Sequence, residues 1–155
     1  MPGAGLTVAR ASQTKLANEA WEALFRAQVT IAGEFAEADV WEPLVPREYG
    51  VLYALSTAPG PLRISELCED VLLSQPGMSR LIARLEGKGL IERLEDPADA
   101  RASRVRMTAE GVAVQRRVGA AHGRHVARAM NRALDRQQLL ELRDLCRSLA
   151  GAGDE

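Results

Sequence analysis

Few residues in this chain have the type and spacing for covalent or metal chemistry. His122 and His125 stand three apart, a spacing that sets two imidazoles on one helix face. No Cys or carboxylate stands near enough to complete a ligand set; Glu110 is about three turns away along the same predicted helix. Cys68 and Cys146 are far apart and form no CxxC pair, which argues against a disulfide framework and a structural zinc site. Each falls among apolar residues at helical spacing and reads as a small hydrophobe rather than a redox sensor. The sequence has no phosphate-cradling glycine loop, no G-x-S-x-G and no H-E-x-x-H. No catalytic residue, metal or cofactor is therefore expected, and the chain is not read as an enzyme. Its polar groups gather instead in two runs: Ser74, Gln75, Pro76, Gly77, Ser79, Arg80 and Arg84, then Asp99, Arg101 and Arg104.

The elements that position these runs follow from periodicity. Leu16, Ala20, Leu24, Ala27, Ile31, Phe35 and Ala38 recur at steps of three or four, predicting a long amphipathic helix over 12–40 that Pro43 and Pro46 end. A short helix is expected over 47–57, burying Val51, Leu52 and Leu55. Ala58-Pro59-Gly60-Pro61 is a turn, and Leu62-Arg63-Ile64 a brief extended piece. Ser65 is a plausible N-cap for a helix to about Leu72, with Leu67 and Val71 facing inward. Ser74 caps the next helix, Pro76 sits in its first turn, Met78, Leu81, Ile82 and Leu85 form its apolar face, and Gly87 and Gly89 end it. The period then changes. Leu90–Leu94 and Arg104–Met107 read as strands around the polar turn Asp96–Arg101, a β-hairpin with an extended tip. Thr108 caps a long helix to about Leu134, and Asp135 with Gln138 makes a capping box for a last helix over 136–149.

The 155 residues suit one structural domain with three regions: an N-terminal dimerisation helix (10–42), a helix-helix-helix-hairpin lobe (43–107) and C-terminal dimerisation helices (108–150). The fold class expected is mainly α, with a small β-hairpin wing. The terminal helices are too long and too apolar on one face for so small a centre, and a second copy of the chain is the economical partner. Net charge is −1, but residues 1–72 hold five Lys/Arg against ten Asp/Glu, whereas 101–136 hold nine Arg against two acids. A neutral molecule can thus carry a local positive face. The sequence has neither a membrane-length apolar run nor a signal-peptide pattern, so a cytoplasmic protein is expected.

At this point the chain resembles the MarR family of winged helix-turn-helix transcriptional regulators. Residues 73–93 look like the family's recognition helix followed by its GL-x-x-R strand entry, here Gly89-Leu90-Ile91-Glu92-Arg93. Asp99-Ala100-Arg101-Ala102 is similar to its D-x-R wing signature, and Met107-Thr108-Ala109-Glu110-Gly111 to its L-T-x-x-G junction. The resemblance spans about 16–149 and implies a homodimer in which each subunit offers one winged helix to a half-site of double-stranded DNA. It further implies a repressor released by a small, often aromatic or phenolic, ligand.

Within that frame the polar runs acquire roles. A recognition helix enters the major groove led by small and polar residues, as Ser74, Gln75, Pro76, Gly77 and Ser79 would be. Gln75 suits adenine and Arg80 guanine, while Arg84, a turn further, suits a phosphate. Arg101 at the hairpin tip can enter a minor groove, with Asp99 pairing to hold its guanidinium. Arg104, Arg106 and Arg63 are candidate phosphate contacts. Trp21, Phe25, Tyr49 and Tyr53 are the candidate walls of an effector pocket, against the plainer reading that they are core. The expected operator is a pseudo-palindrome with half-sites about one helical turn apart. The alternative is a winged-helix adaptor that docks on protein and leaves Gln75 and Arg80 without a role.

Overall fold

The computed structural model describes residues 3–71 and 75–151, with side chains over 12–69 and 76–151. The chain divides into two compact units, residues 1–38 and 39–155. The first holds helix α1, Gly3–Ala36. It is longer at its start than periodicity indicated and ends four residues earlier, where Ala38 N–H turns back to the Phe35 carbonyl. Leu16, Trp21, Phe25 and Val29 lie more than half exposed along it.

The second unit begins with Trp41 and Leu44, both buried. Helix α2 (Pro46–Thr57) opens with proline, whose fixed φ and missing N–H suit a first turn. Strand β1 (Leu62–Arg63) leads directly into α3 (Ile64–Val71). The helix thus starts one residue ahead of Ser65, the expected cap, and the Glu66 carboxylate accepts from the Arg63 N–H at 2.6 Å. Helix α4 (Gln75–Gly87) carries Met78, Leu81, Ile82 and Leu85 into the core, as their spacing requires. Gly89 has φ +71°, and a Schellman pair closes the helix: Gly89 N–H to Glu86 O at 2.9 Å and Leu90 N–H to Leu85 O at 3.0 Å.

Strands β2 (Ile91–Glu95) and β3 (Ser103–Met107) pair antiparallel, and β1 adds to the other edge of β3, so the sheet order is β1-β3-β2. The short piece before α3 is therefore a third strand of the wing, with Leu62 opposite Val105 and Arg63 opposite Arg104. A two-residue strand carries no period to read, which is why the sequence yielded only a hairpin.

Helix α5 (Ala109–Ala133) starts where the Thr108 hydroxyl oxygen accepts from Gly111 N–H at 3.0 Å and its O–H donates to Gly89 O at 2.7 Å. Thr108 N–H also donates to Leu90 O at 3.1 Å, which ties the end of α4 to the start of α5. Helix α6 (Arg136–Gly151) begins with the reciprocal Asp135–Gln138 capping box, both bonds at 2.9 Å. None of its residues is buried, and Leu145 and Leu149 are about two-thirds exposed. The fold is mainly α with a small antiparallel wing, a winged helix flanked by long helices. Among the described residues no helix is long and apolar enough to cross a membrane.

Candidate nucleic-acid interface

The core of the winged helix decides which polar residues remain available. Because Met78, Leu81, Ile82 and Leu85 fill one face of α4, Pro76, Ser79 and Arg80 emerge on the other and are exposed. Gly77 lies between the two faces, half-buried. Ser74 and the Gln75 side chain, both expected at the leading end of this helix, lie outside the described residues. Arg80 has no ion-pair partner among the described residues.

Arg84 behaves differently. Its Nε stands 3.5 Å from Oε1 of Glu48, whose other oxygen accepts from Lys88 Nζ at 2.7 Å. Glu48 is buried and also accepts from the Val45 N–H at 3.1 Å. Arg84 on α4 and Lys88 just past its end therefore converge on a carboxylate of α2 and fasten the two helices together. Arg84, expected at a phosphate, is more than half exposed and leans on this carboxylate. The sequence offered no hint of it, because Glu48 and Arg84 are 36 positions apart.

In the wing, the Asp99 carboxylate accepts from the backbone N–H of Arg101 at 2.9 Å, and the Ala102 N–H donates to the Asp99 carbonyl at 3.0 Å. Asp99 thus shapes the tip as an Asx turn; the ion pair expected between it and the Arg101 guanidinium is not formed. Arg101 stands exposed at the tip and, like Arg80, is without an ion-pair partner among the described residues.

The remaining wing arginines are paired. Arg106 Nε donates to Glu92 at 2.6 Å across the β2–β3 ladder, and Arg93 Nε to Glu86 at 3.1 Å. Arg104 Nε donates to Asp96 at 2.9 Å and Arg63 Nε to the same oxygen at 2.6 Å. Arg104, a candidate phosphate contact, is half-buried and bound to Asp96 through Nε, as Arg63 is. Arg63, the Ala98 N–H and Arg104 together keep the Asp96 carboxyl far below the usual carboxylate range, and Asp96 in turn raises Arg63 above the usual arginine value. The Arg106 and Arg93 pairs are solvent-exposed and worth under about 1 kcal/mol, so a phosphate can displace their acids; the Asp96 side chain is fully buried and is not displaced this way.

A second feature lies between α2 and α5. Tyr49, Tyr53, Gly119, His122, Gly123 and Val126 line a cleft of about 420 Å³. Trp41 stacks behind it, 4.8 Å from the His122 ring and 5.6 Å from Tyr49, and Tyr49 lies 6.1 Å from Tyr53. Burial pushes the Tyr49 phenol above its ordinary value, with the Tyr53 charge adding to this and a Gln115 hydrogen bond opposing it. Burial, reinforced by His125, pushes His122 below its ordinary value, which leaves it neutral at pH 7. Of the four expected pocket residues, Tyr49 and Tyr53 thus share this cleft. Trp21 and Phe25 belong to α1, where they are 66% and 54% exposed. Sequence reasoning misses His122 as a pocket residue, because its spacing from His125 points to a metal pair. Among the described residues no group of three or more His, Cys, Asp or Glu could hold a metal.

Comparison with known proteins agrees with this geometry. Residues 44–102 match the family model described as MarR family. Over 68 residues the chain is 35% identical to the transcriptional regulator HosA of Escherichia coli O111:H-; the match takes in 44% of the chain and spans about half the length of that curated relative. Sco3205, a MarR family transcriptional regulator from Streptomyces coelicolor solved in complex with DNA, superposes with TM-score 0.75 at 26% identity, over 87% of this chain and 86% of that one. The chain is thus similar to the MarR family by family model over its central lobe and by fold over most of its length. Another solved structure, the PcaV transcriptional regulator of the same organism with its natural ligand, is similar at 29% identity and TM-score 0.62, over 89% and 91% of the two chains. In a winged helix of this order, α4 stands where a recognition helix stands and the β2–β3 hairpin is the wing.

Proposed function

We propose that the chain is a sequence-specific DNA-binding transcriptional regulator of the cytoplasm, acting as a homodimeric repressor that a small aromatic molecule releases. The observation that carries this reading is the selective freedom of Arg80 and Arg101. The other arginines on the wing strands and on α4 each have an acidic partner, Asp96, Glu48, Glu86 or Glu92. Two exposed guanidinia without ion-pair partners among the described residues, one on the solvent face of α4 and one at the hairpin tip, match a major-groove reader and a minor-groove probe. Gln75, Ser74 and Ser79 would accompany Arg80 into the groove. The similarity to Sco3205, solved with DNA, supports the same partner.

Dimerisation is supported by the apolar residues that one chain leaves uncovered, Leu16, Trp21, Phe25 and Val29 on α1 and Leu145 and Leu149 on α6. On this reading 10–42 and 108–150 are dimerisation regions and 43–107 is the DNA-binding lobe. The effector would enter the Tyr49–Tyr53–His122 cleft, whose aromatic walls suit a planar ring; the similarity to PcaV, solved with its natural ligand, points the same way. Titration of the purified protein with duplex DNA over a range of salt tests the reading. Binding should weaken steeply as salt rises, because phosphate contacts release counterions. Salt-independent binding, or none, would favour a protein-docking role for the winged helix.

A further inference from the structure

Asp96 is the most constrained charged residue of the wing. Its side chain is fully buried, and it accepts from Arg63 Nε at 2.6 Å, Arg104 Nε at 2.9 Å and the Ala98 N–H at 2.8 Å. The Ala98 bond belongs to the turn after β2, which backbone bonds of Asp96, Asp99 and Ala102 also close. The two arginines need another account, since buried ion pairs are commonly replaced by apolar groups with no loss of stability. Arg63 and Arg104 are direct partners in the β1–β3 register, where like charges repel. Asp96 removes that repulsion and draws both guanidinia to one oxygen. Arg63 is bound through Nε, which leaves its terminal amino groups for another acceptor.

Arg63 also forms a wall of a cleft of about 270 Å³ at the joint of α3 and the wing, with Ser65, Arg101 and Ser103 among the other lining residues. Two arginines and two serines are among the residues that line this cleft, and none of its lining residues is acidic. Resting on the DNA-binding reading above, we infer that the cleft seats one phosphodiester of the DNA backbone and that Asp96 is its positioning residue, holding the Arg63–Arg104 pair in place. Guanidinium forks and hydroxyl donors are the groups that fix a protein's register on a phosphate chain.

DNA affinity is measured for wild type, Asp96→Asn and Arg63→Lys, with a mixed-sequence duplex across a series of NaCl concentrations. If only net charge mattered, removing the Asp96 charge would strengthen binding. Asp96→Asn is expected instead to bind roughly three- to tenfold more weakly, with a log–log salt slope shallower by about 0.9, the share of one phosphate on duplex DNA. Arg63→Lys keeps the charge but loses the Nε bond, and should weaken binding in the same direction. An Asp96→Asn protein that binds as tightly as wild type or tighter overturns the seat. Should Asp96→Asn fail to fold by circular dichroism, Arg63→Lys decides, and unchanged affinity and slope overturn it. Absence of salt-dependent DNA binding by wild type means the regulator reading has failed and the seat with it. Wild-type binding matched by both variants means the seat alone has failed.

Discussion

Arg80, Arg84, Arg101 and Arg104 were equivalent as residue types, and the structure separates them by what each already touches. Arg80 and Arg101 are exposed without ion-pair partners among the described residues, Arg84 leans on Glu48, and Arg104 is held by Asp96. Arg80→Ala is expected to cost about 1–3 kcal/mol of DNA binding and to relax preference at one base position, read by competition among duplexes varied one base at a time. Arg101→Ala should weaken all sequences nearly alike at matched salt. Arg84→Ala should chiefly lower thermal stability, because its acid partner is buried. The short motifs mark the helix and hairpin on which these arginines lie. They did not reveal the pairing, because Glu48 and Asp96 reach their arginines through the fold, not along the chain. Gly111 is the clearest fixed position: a Cβ there would run into the Leu90 carbonyl. Gly111→Ala should therefore destabilise by about 1–3 kcal/mol, measured by urea unfolding, with the tight L-T-x-x-G junction as the reason.

At the scale of elements, the helices with caps and strong apolar stripes were legible. Thr108, the Asp135–Gln138 box and Gly89 all sit where their types indicated. Errors fell where local signals are weak: the β1 edge of the wing, the start of α3 and the two ends of α1. The Thr108 knot joins three elements, since its backbone and hydroxyl reach Leu90, Gly89 and Gly111 at once. Thr108→Ala should cost about 1–2 kcal/mol, and Thr108→Ser, which keeps both hydroxyl bonds, much less; thermal melts of the pair separate capping from packing. The Glu48 tie deserves the same comparison. Glu48→Gln keeps the Val45 cap but gives up the ion pairs with Lys88 and Arg84, which are partly exposed and so worth less than a buried pair.

At the scale of the molecule, the uncovered apolar residues of α1 and α6 are the feature that one chain does not resolve on its own. Leu145→Asp with Leu149→Asp should sediment as a monomer where wild type sediments as a dimer. The aromatic cleft adds a pH dependence. His122 is held below its ordinary value, so the unfolded chain takes up a proton at higher pH than the folded one. Its contribution to stability is complete above about pH 6.5 and is lost as the pH falls from there through the folded value. Melting temperatures of wild type should therefore drop relative to His122→Phe on going from neutral to mildly acidic buffer. The sequence reading found two of the cleft's aromatic residues but not its histidine, because the cleft is built by α2 and α5 packing from distant parts of the chain. The proposed activity is the reading of specific DNA. Its most direct test is capture of fragmented genomic DNA by the purified protein at near-physiological salt, followed by sequencing. Enrichment of a few pseudo-palindromic sites with half-sites about one helical turn apart is the result expected; recovery of random fragments, or of none, would contradict it.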